Sequence, residues 1–148
     1  LGSIYFDQQF PMGVAAMLEG VDLVKAGNAP KTVQNEADAT YESWCTADDV
    51  AIDWSQTAAT VHNLIRGADP QPGAWTTHDG KRLQIYDCAC LDGSGGKPGE
   101  VMAVGGDGIE VAAGQGRILV KRVRGDGQKV SAADYAAETG LGAGTCLG

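Results

Sequence analysis

The residues best suited to chemistry fall into three groups. The first is His62-Asn63, preceded by Asp53. A histidine, an amide and a carboxylate can together run acid–base chemistry. Both, however, sit in a helical stretch whose other positions pack, with Asn63 and Arg66 placed to hold neighbouring backbone, so structural support is the stronger reading. The second group is the cysteines Cys45, Cys88, Cys90 and Cys146. Cys88-Ala89-Cys90 would place two thiols on one face of a strand, but no second pair follows and only His62 and His78 could add soft ligands. Reduced, half-buried thiols fit better than a structural zinc. The third group is basic: Arg117, Lys121, Arg122, Arg124 and Lys129 face only Asp126. Such a strand could contact RNA phosphates, or it could be an ordinary solvated face. The run Gly93-Ser94-Gly95-Gly96-Lys97 fails as a phosphate loop, because no helix follows and Pro98 blocks one. No Gly-x-Ser-x-Gly or His-Glu-x-x-His pattern occurs. The residues offer no convincing active site, no metal site and no bound cofactor.

The element that must position the first group spans 53–66. Asp53 stands where an N-cap acceptor belongs, with Gln56 three residues on. Trp54, Ala58, Val61 and Ile65 then recur at helical spacing. Arg66 suits the negative end of the dipole, and Gly67 can take the left-handed turn that ends a helix. Pro70 and Pro72 keep the helix from resuming, and Gly73 turns the chain into Ala74-Trp75-Thr76. The expected arrangement is a helix, a rigid proline connector and the start of a strand.

After Trp75 the period changes from helical to two. Leu83 and Ile85 alternate with Arg82 and Gln84 behind the turn His78-Asp79-Gly80. Further strands are expected near 100–104, 109–111 and 117–124, separated by glycine turns, which points to a mainly β fold of the small barrel or sandwich type. A short helix should begin at Ser131, with Asp134 in capping-box position, and stop before Gly140; the tail 141–148 should fray. Ahead of all this, 3–26 reads as a long helix with an apolar face (Phe10, Val14, Met17, Val21, Val24) that Pro11 should kink. Residues 28–51 lack periodicity and read as a linker.

At 148 residues the chain is long enough for one self-sufficient core. It has no run long and apolar enough to span a membrane and no charged-then-apolar leader, which with unpaired cysteines gives a cytoplasmic expectation. It opens on Leu1 rather than Met, as a fragment or processed product would. The formal charge of −8 argues against broad nucleic-acid binding. It is uneven: through Thr60 nine acids face only Lys25 and Lys31.

The string Asp53-Trp54, His62 through Gly67 and Pro70-Gln71-Pro72-Gly73-Ala74-Trp75-Thr76 resembles the signature opening the C-terminal domain of the formyltransferases that use 10-formyltetrahydrofolate. These include methionyl-tRNA formyltransferase and the hydrolase domain of 10-formyltetrahydrofolate dehydrogenase. The likeness covers almost all of the chain. Residues 1–27 resemble the terminal helix of the catalytic half, 28–51 the crossing linker, and 52–140 the C-terminal domain, with 141–148 as a tail. The resemblance implies a small Greek-key barrel similar to an oligonucleotide-binding fold, with a leading helix at 53–66. It assigns structural roles to Asp53, Trp54, Asn63, Ile65, Arg66, Pro70, Pro72, Gly73, Ala74 and Trp75. It also implies that 10-formyltetrahydrofolate and the catalytic Asn, His and Asp belong to an N-terminal domain upstream of Leu1. That missing domain is the implied partner, and the apolar face of 3–26, left bare, would favour self-association. The acidity tilts the expectation toward a parent acting on free 10-formyltetrahydrofolate or a small acceptor, as an accessory portion that positions substrate. A tRNA-docking domain using Arg117 to Lys129 is the alternative, and a non-enzymatic partner-binding barrel a third reading.

Overall fold

The computed structural model describes residues 2–148 and divides into two compact units, one up to Trp44 and one from Cys45 to Gly148. In the first unit a π-helical turn at Ile4–Gln9 runs into α1 (Phe10–Lys25). Pro11 brings no N–H, and just before it the Phe10 N–H reaches back five residues to the Tyr5 carbonyl, so the expected kink is taken up as a wider turn. The helix closes on Gly27 (φ 72°), across which the Asn28 N–H binds the Leu23 carbonyl. No described residue of this unit is buried; Phe10 is 56% exposed and Met17 69%. Beyond α1 the chain is irregular apart from a 3-10 turn at Glu36–Asp38, which Asn35 caps by accepting from the Ala37 N–H.

The second unit begins with a hook. The expected helix at 53–66 starts five residues late, as α2 (Ala58–Ala68). Asp53 is the reason. Its carboxylate accepts from the Ser55 N–H and hydroxyl and from the Gln56 amide, which makes a local turn in place of a cap. Thr57 caps instead, accepting from the Thr60 N–H. Between them the chain crosses the turn at Gly114, whose N–H bonds the carbonyls of Trp54 and Gln56. A Cβ on Gly114 would collide with the Ser55 carbonyl, so the crossing requires glycine. At the far end Gly67 stays helical, and the helix ends at Asp69 in an extended conformation rather than a left-handed one.

The rest is a mainly antiparallel sheet: β1 (Ala74–His78), β2 (Lys81–Leu91), β3 (Val101–Gly105), β4 (Gly108–Ala112), β5 (Arg117–Arg124) and the short β6 (Val130–Ser131). The order is β1-β2-β5-β4-β3, with β6 on the end of β5. Leu83, Ile85, Val111, Ile118, Val120 and Val123 turn inward, where Val61 and Ile65 of α2 meet them. A bulge in β2 between Ile85 and Cys88 shifts the register against β5; Ile85 is buried in the core and Tyr86 beneath the connector at Gly73. After β6 comes α3 (Ala132–Thr139), capped by the Ser131 hydroxyl on the Asp134 N–H and ended by Gly140 at φ 75°.

The strand ladder is not closed, since β1 and β3 do not pair. What spans the gap is Trp54 and the tail. The Trp54 indole donates to the Thr76 hydroxyl on β1 at 3.0 Å. The tail bonds β3 and its approach through Val101 N–H to Thr145 and Leu147 N–H to Gly99, and reaches β1 through Gly148 N–H to Thr77. Rather than fraying, 141–148 is pinned, with Leu141 and Leu147 buried in the core.

Candidate nucleic-acid interface

The outward face of β1, β2 and the end of β5 gathers cations over aromatic rings. Along β1, Ala74, Thr76 and His78 point into the core, which leaves Trp75 and Thr77 outward. The hairpin register sets Trp75 opposite Gln84 and Thr77 opposite Arg82. Arg82 therefore lies diagonal to Trp75, and its guanidinium stacks 4.1 Å from the ring centre. Trp75 is itself fixed by an indole bond to the Ala47 carbonyl at 2.7 Å.

One residue pair further along, the proline connector comes down onto the sheet. The Gln84 amide donates to the Pro72 carbonyl at 2.9 Å and accepts from the Arg124 guanidinium at 2.9 Å. Tyr86 lies beneath, with the Lys129 ammonium 3.4 Å and the Arg124 guanidinium 5.6 Å from its ring centre. Lys129 also reaches Asp69 at 3.5 Å. The Tyr86 hydroxyl is buried without a partner under Gly73, where any Cβ would press on it. Both X-Pro bonds of the connector, at Pro70 and Pro72, are cis. The cations of this bracket are held in place by rings and amides, which lowers the entropy lost when an anion binds.

The five cations expected on one strand thus have three fates. Arg117 is spent locally, 3.6 Å from Glu110 and bonded to the Ser94 carbonyl. Lys121 and Arg122 are exposed side by side. Arg124 and Lys129 join the connector. Arg82, Gln84 and Tyr86 complete the face and escaped the sequence reading, although a diagonal Trp–Arg pair across the tight 78–80 turn was a usable signal.

Ile65 and Ala74 are wholly buried, Trp54 braces the gap, and Asn63 accepts from Arg66 at 3.2 Å. His62 makes no hydrogen bond or ion pair among the described residues, and no group there of three or more His, Cys, Asp or Glu could hold a metal. Burial pushes the Cys88 thiol up to about 12, assisted by Cys90 and Asp87, which makes it a poor nucleophile near neutrality. No described helix is long and apolar enough to cross a membrane.

The model of the formyl transferase C-terminal domain matches residues 45–139. The chain belongs to that family. The methionyl-tRNA formyltransferase of Moorella thermoacetica is 38% identical over 125 residues, covering 84% of this chain and 40% of that protein. That of Geotalea uraniireducens is 36% identical over 143 residues, or 96% and 45% respectively. The chain therefore spans less than half the length of these curated relatives. Among solved structures, a variant of HypX from Aquifex aeolicus superposes with a TM-score of 0.72 at 23% identity, over 93% of this chain and 26% of that one. A second HypX structure, in complex with tetrahydrofolic acid, gives 0.68 at 22% identity over 88% of this chain and 23% of that one. Those matches show a shared fold.

Proposed function

We propose that this chain is the acceptor-holding portion of an enzyme that moves a formyl group from 10-formyltetrahydrofolate to methionyl-tRNA. The observation that carries the reading is the bracketed cation face, taken with relatives that are methionyl-tRNA formyltransferases. In this reading the folate and the reacting groups belong to the catalytic half, which this chain does not contribute. The outer face of β1, β2 and β5 supplies phosphate contacts that set where the RNA lies, and the rigid connector carries that position toward the catalytic half.

The second unit holds nine cations and thirteen acids, a net charge of −4, so RNA contact must be local rather than a general attraction. That acidity is what favours the second reading, in which water or a small molecule accepts the formyl group. Filter binding of methionyl-tRNA to the 148-residue chain over a salt series separates the two. With Arg82, Lys121, Arg122 and Arg124 each on a phosphate, log K should fall with log salt at a slope of about −3.5, or roughly a hundredfold loss from 50 to 200 mM. A slope near zero, or no binding at low salt, would remove RNA from the account.

A further inference from the structure

We propose that a second site, at the open end of the sheet, holds one unstacked guanosine nucleotide, with its base against Tyr135 and Asp126 and its phosphate on Lys81. The site is a cleft of about 330 Å³ between Lys81-Arg82 at the start of β2, the loop 125–128 and α3. Its volume is of the order of one nucleotide. Tyr135 forms one wall, and its hydroxyl is anchored at 2.9 Å to Nδ1 of His78, which is only 6% exposed. That anchor fixes the ring as a platform, and base-on-ring stacking is the usual way a protein holds an unpaired nucleotide.

Lys81 and Arg82 line the hairpin side of the cleft, and Asp126 and Glu138 line the loop and α3 side. Lys81 is paired in register with His78, which places its stem on the Tyr135 side of the hairpin. Asp126 lies in the facing loop, near enough for its charge to help keep the Tyr135 hydroxyl protonated, after burial and Asp79. A carboxylate can accept two parallel hydrogen bonds, and guanine alone among the four bases offers two adjacent donors on its Watson–Crick edge. Gly125 leaves the ring uncovered, since a Cβ there would come to 3.5 Å from Tyr135 Cε2. Arg82 lines the cleft and also stacks on Trp75, so the cleft continues the outer face.

This inference rests on the RNA reading but is tested apart from it. Amide and ring resonances of the 148-residue chain are followed while 5′-GMP, AMP, CMP, UMP or inorganic phosphate is added. The expected result is saturable shifts at Tyr135 and 125–128 with GMP, at least tenfold tighter than with the other nucleotides. Asp126→Asn should weaken GMP about tenfold, while Asp107→Asn, in the exposed turn between β3 and β4 and outside the cleft, changes it less than twofold. Gly125→Val, which fills the mouth without backbone strain, should abolish it while the rest of the spectrum stays native. Shifts reproduced by phosphate alone, equal affinity for all four nucleotides, or no binding would each overturn the proposal. Salt-dependent tRNA binding that survives in Gly125→Val with no GMP effect would sink the cleft and leave the RNA reading intact. GMP binding without any tRNA binding would do the reverse, leaving a free-nucleotide site.

Discussion

Beside the tail, the gap between β1 and β3 is braced by one buried side-chain bond, and its removal gives a worked prediction. Trp54 and Thr76 are 5% and 3% exposed, and the indole N–H and the hydroxyl are each other's partners at 3.0 Å. Thr76→Val leaves a buried indole N–H without an acceptor, which should cost about 1–3 kcal/mol. Trp54→Phe leaves the hydroxyl unpaired and also opens space, so its cost should be larger, roughly 2–4 kcal/mol. Making both changes together restores consistency of polarity, because no buried group is then orphaned. The double variant should therefore be about 1–2 kcal/mol more stable than the sum of the single losses implies. Urea unfolding read by far-UV circular dichroism measures all four proteins under one two-state analysis, with m unchanged. Additivity within about 0.5 kcal/mol would show that the bond does not brace the gap, and the tail alone would have to close it.

Gly114→Ala should destabilise by about 3 kcal/mol, because the new methyl meets the Ser55 carbonyl where the hook crosses; thermal unfolding reads it. Asp49 has its carboxyl held below the ordinary 3.8 by bonds from the Thr46 backbone and then the Thr46 hydroxyl. A depressed carboxyl contributes stability that is whole above its unfolded value and is lost as pH falls through the folded one. The acid limb below pH 3.8 should accordingly be shallower in Asp49→Asn, as followed by pH-dependent urea titration. For Cys88, a shift from 9.0 to about 12 lowers the thiolate fraction about a thousandfold at neutral pH. Iodoacetamide should label the exposed Cys45, Cys90 and Cys146 in the folded chain and Cys88 only after unfolding, as peptide mapping would report.

Much of the architecture was legible because single signals agreed with one another. In β5 the inward Ile118 and Val120 alternate with outward neighbours over the range the period indicates, and Ser131, Asp134 and Gly140 mark both ends of α3. The start of α2 was misplaced because an aspartate can cap a helix or close a turn, and only the crossing at Gly114 decides that Asp53 does the second. The tail offered no period to read, since it is held by main-chain bonds to Gly99, Val101 and Thr77 rather than by a repeating side-chain pattern. The cation face stayed hidden for a related reason. Its parts, Arg82 and Arg124, lie on different strands and become neighbours only through the register that sets Gln84 against Arg124.

The most direct test of the account is amide-shift mapping of the chain on addition of methionyl-tRNA at low salt. If RNA is held by the bracketed face, the shifts will centre on Trp75, Arg82, Gln84, Lys121, Arg122 and Arg124 and will be largely lost in the Arg82→Ala, Arg124→Ala double variant. Shifts centred instead on α2, or saturable binding that the double variant leaves unchanged, would contradict it.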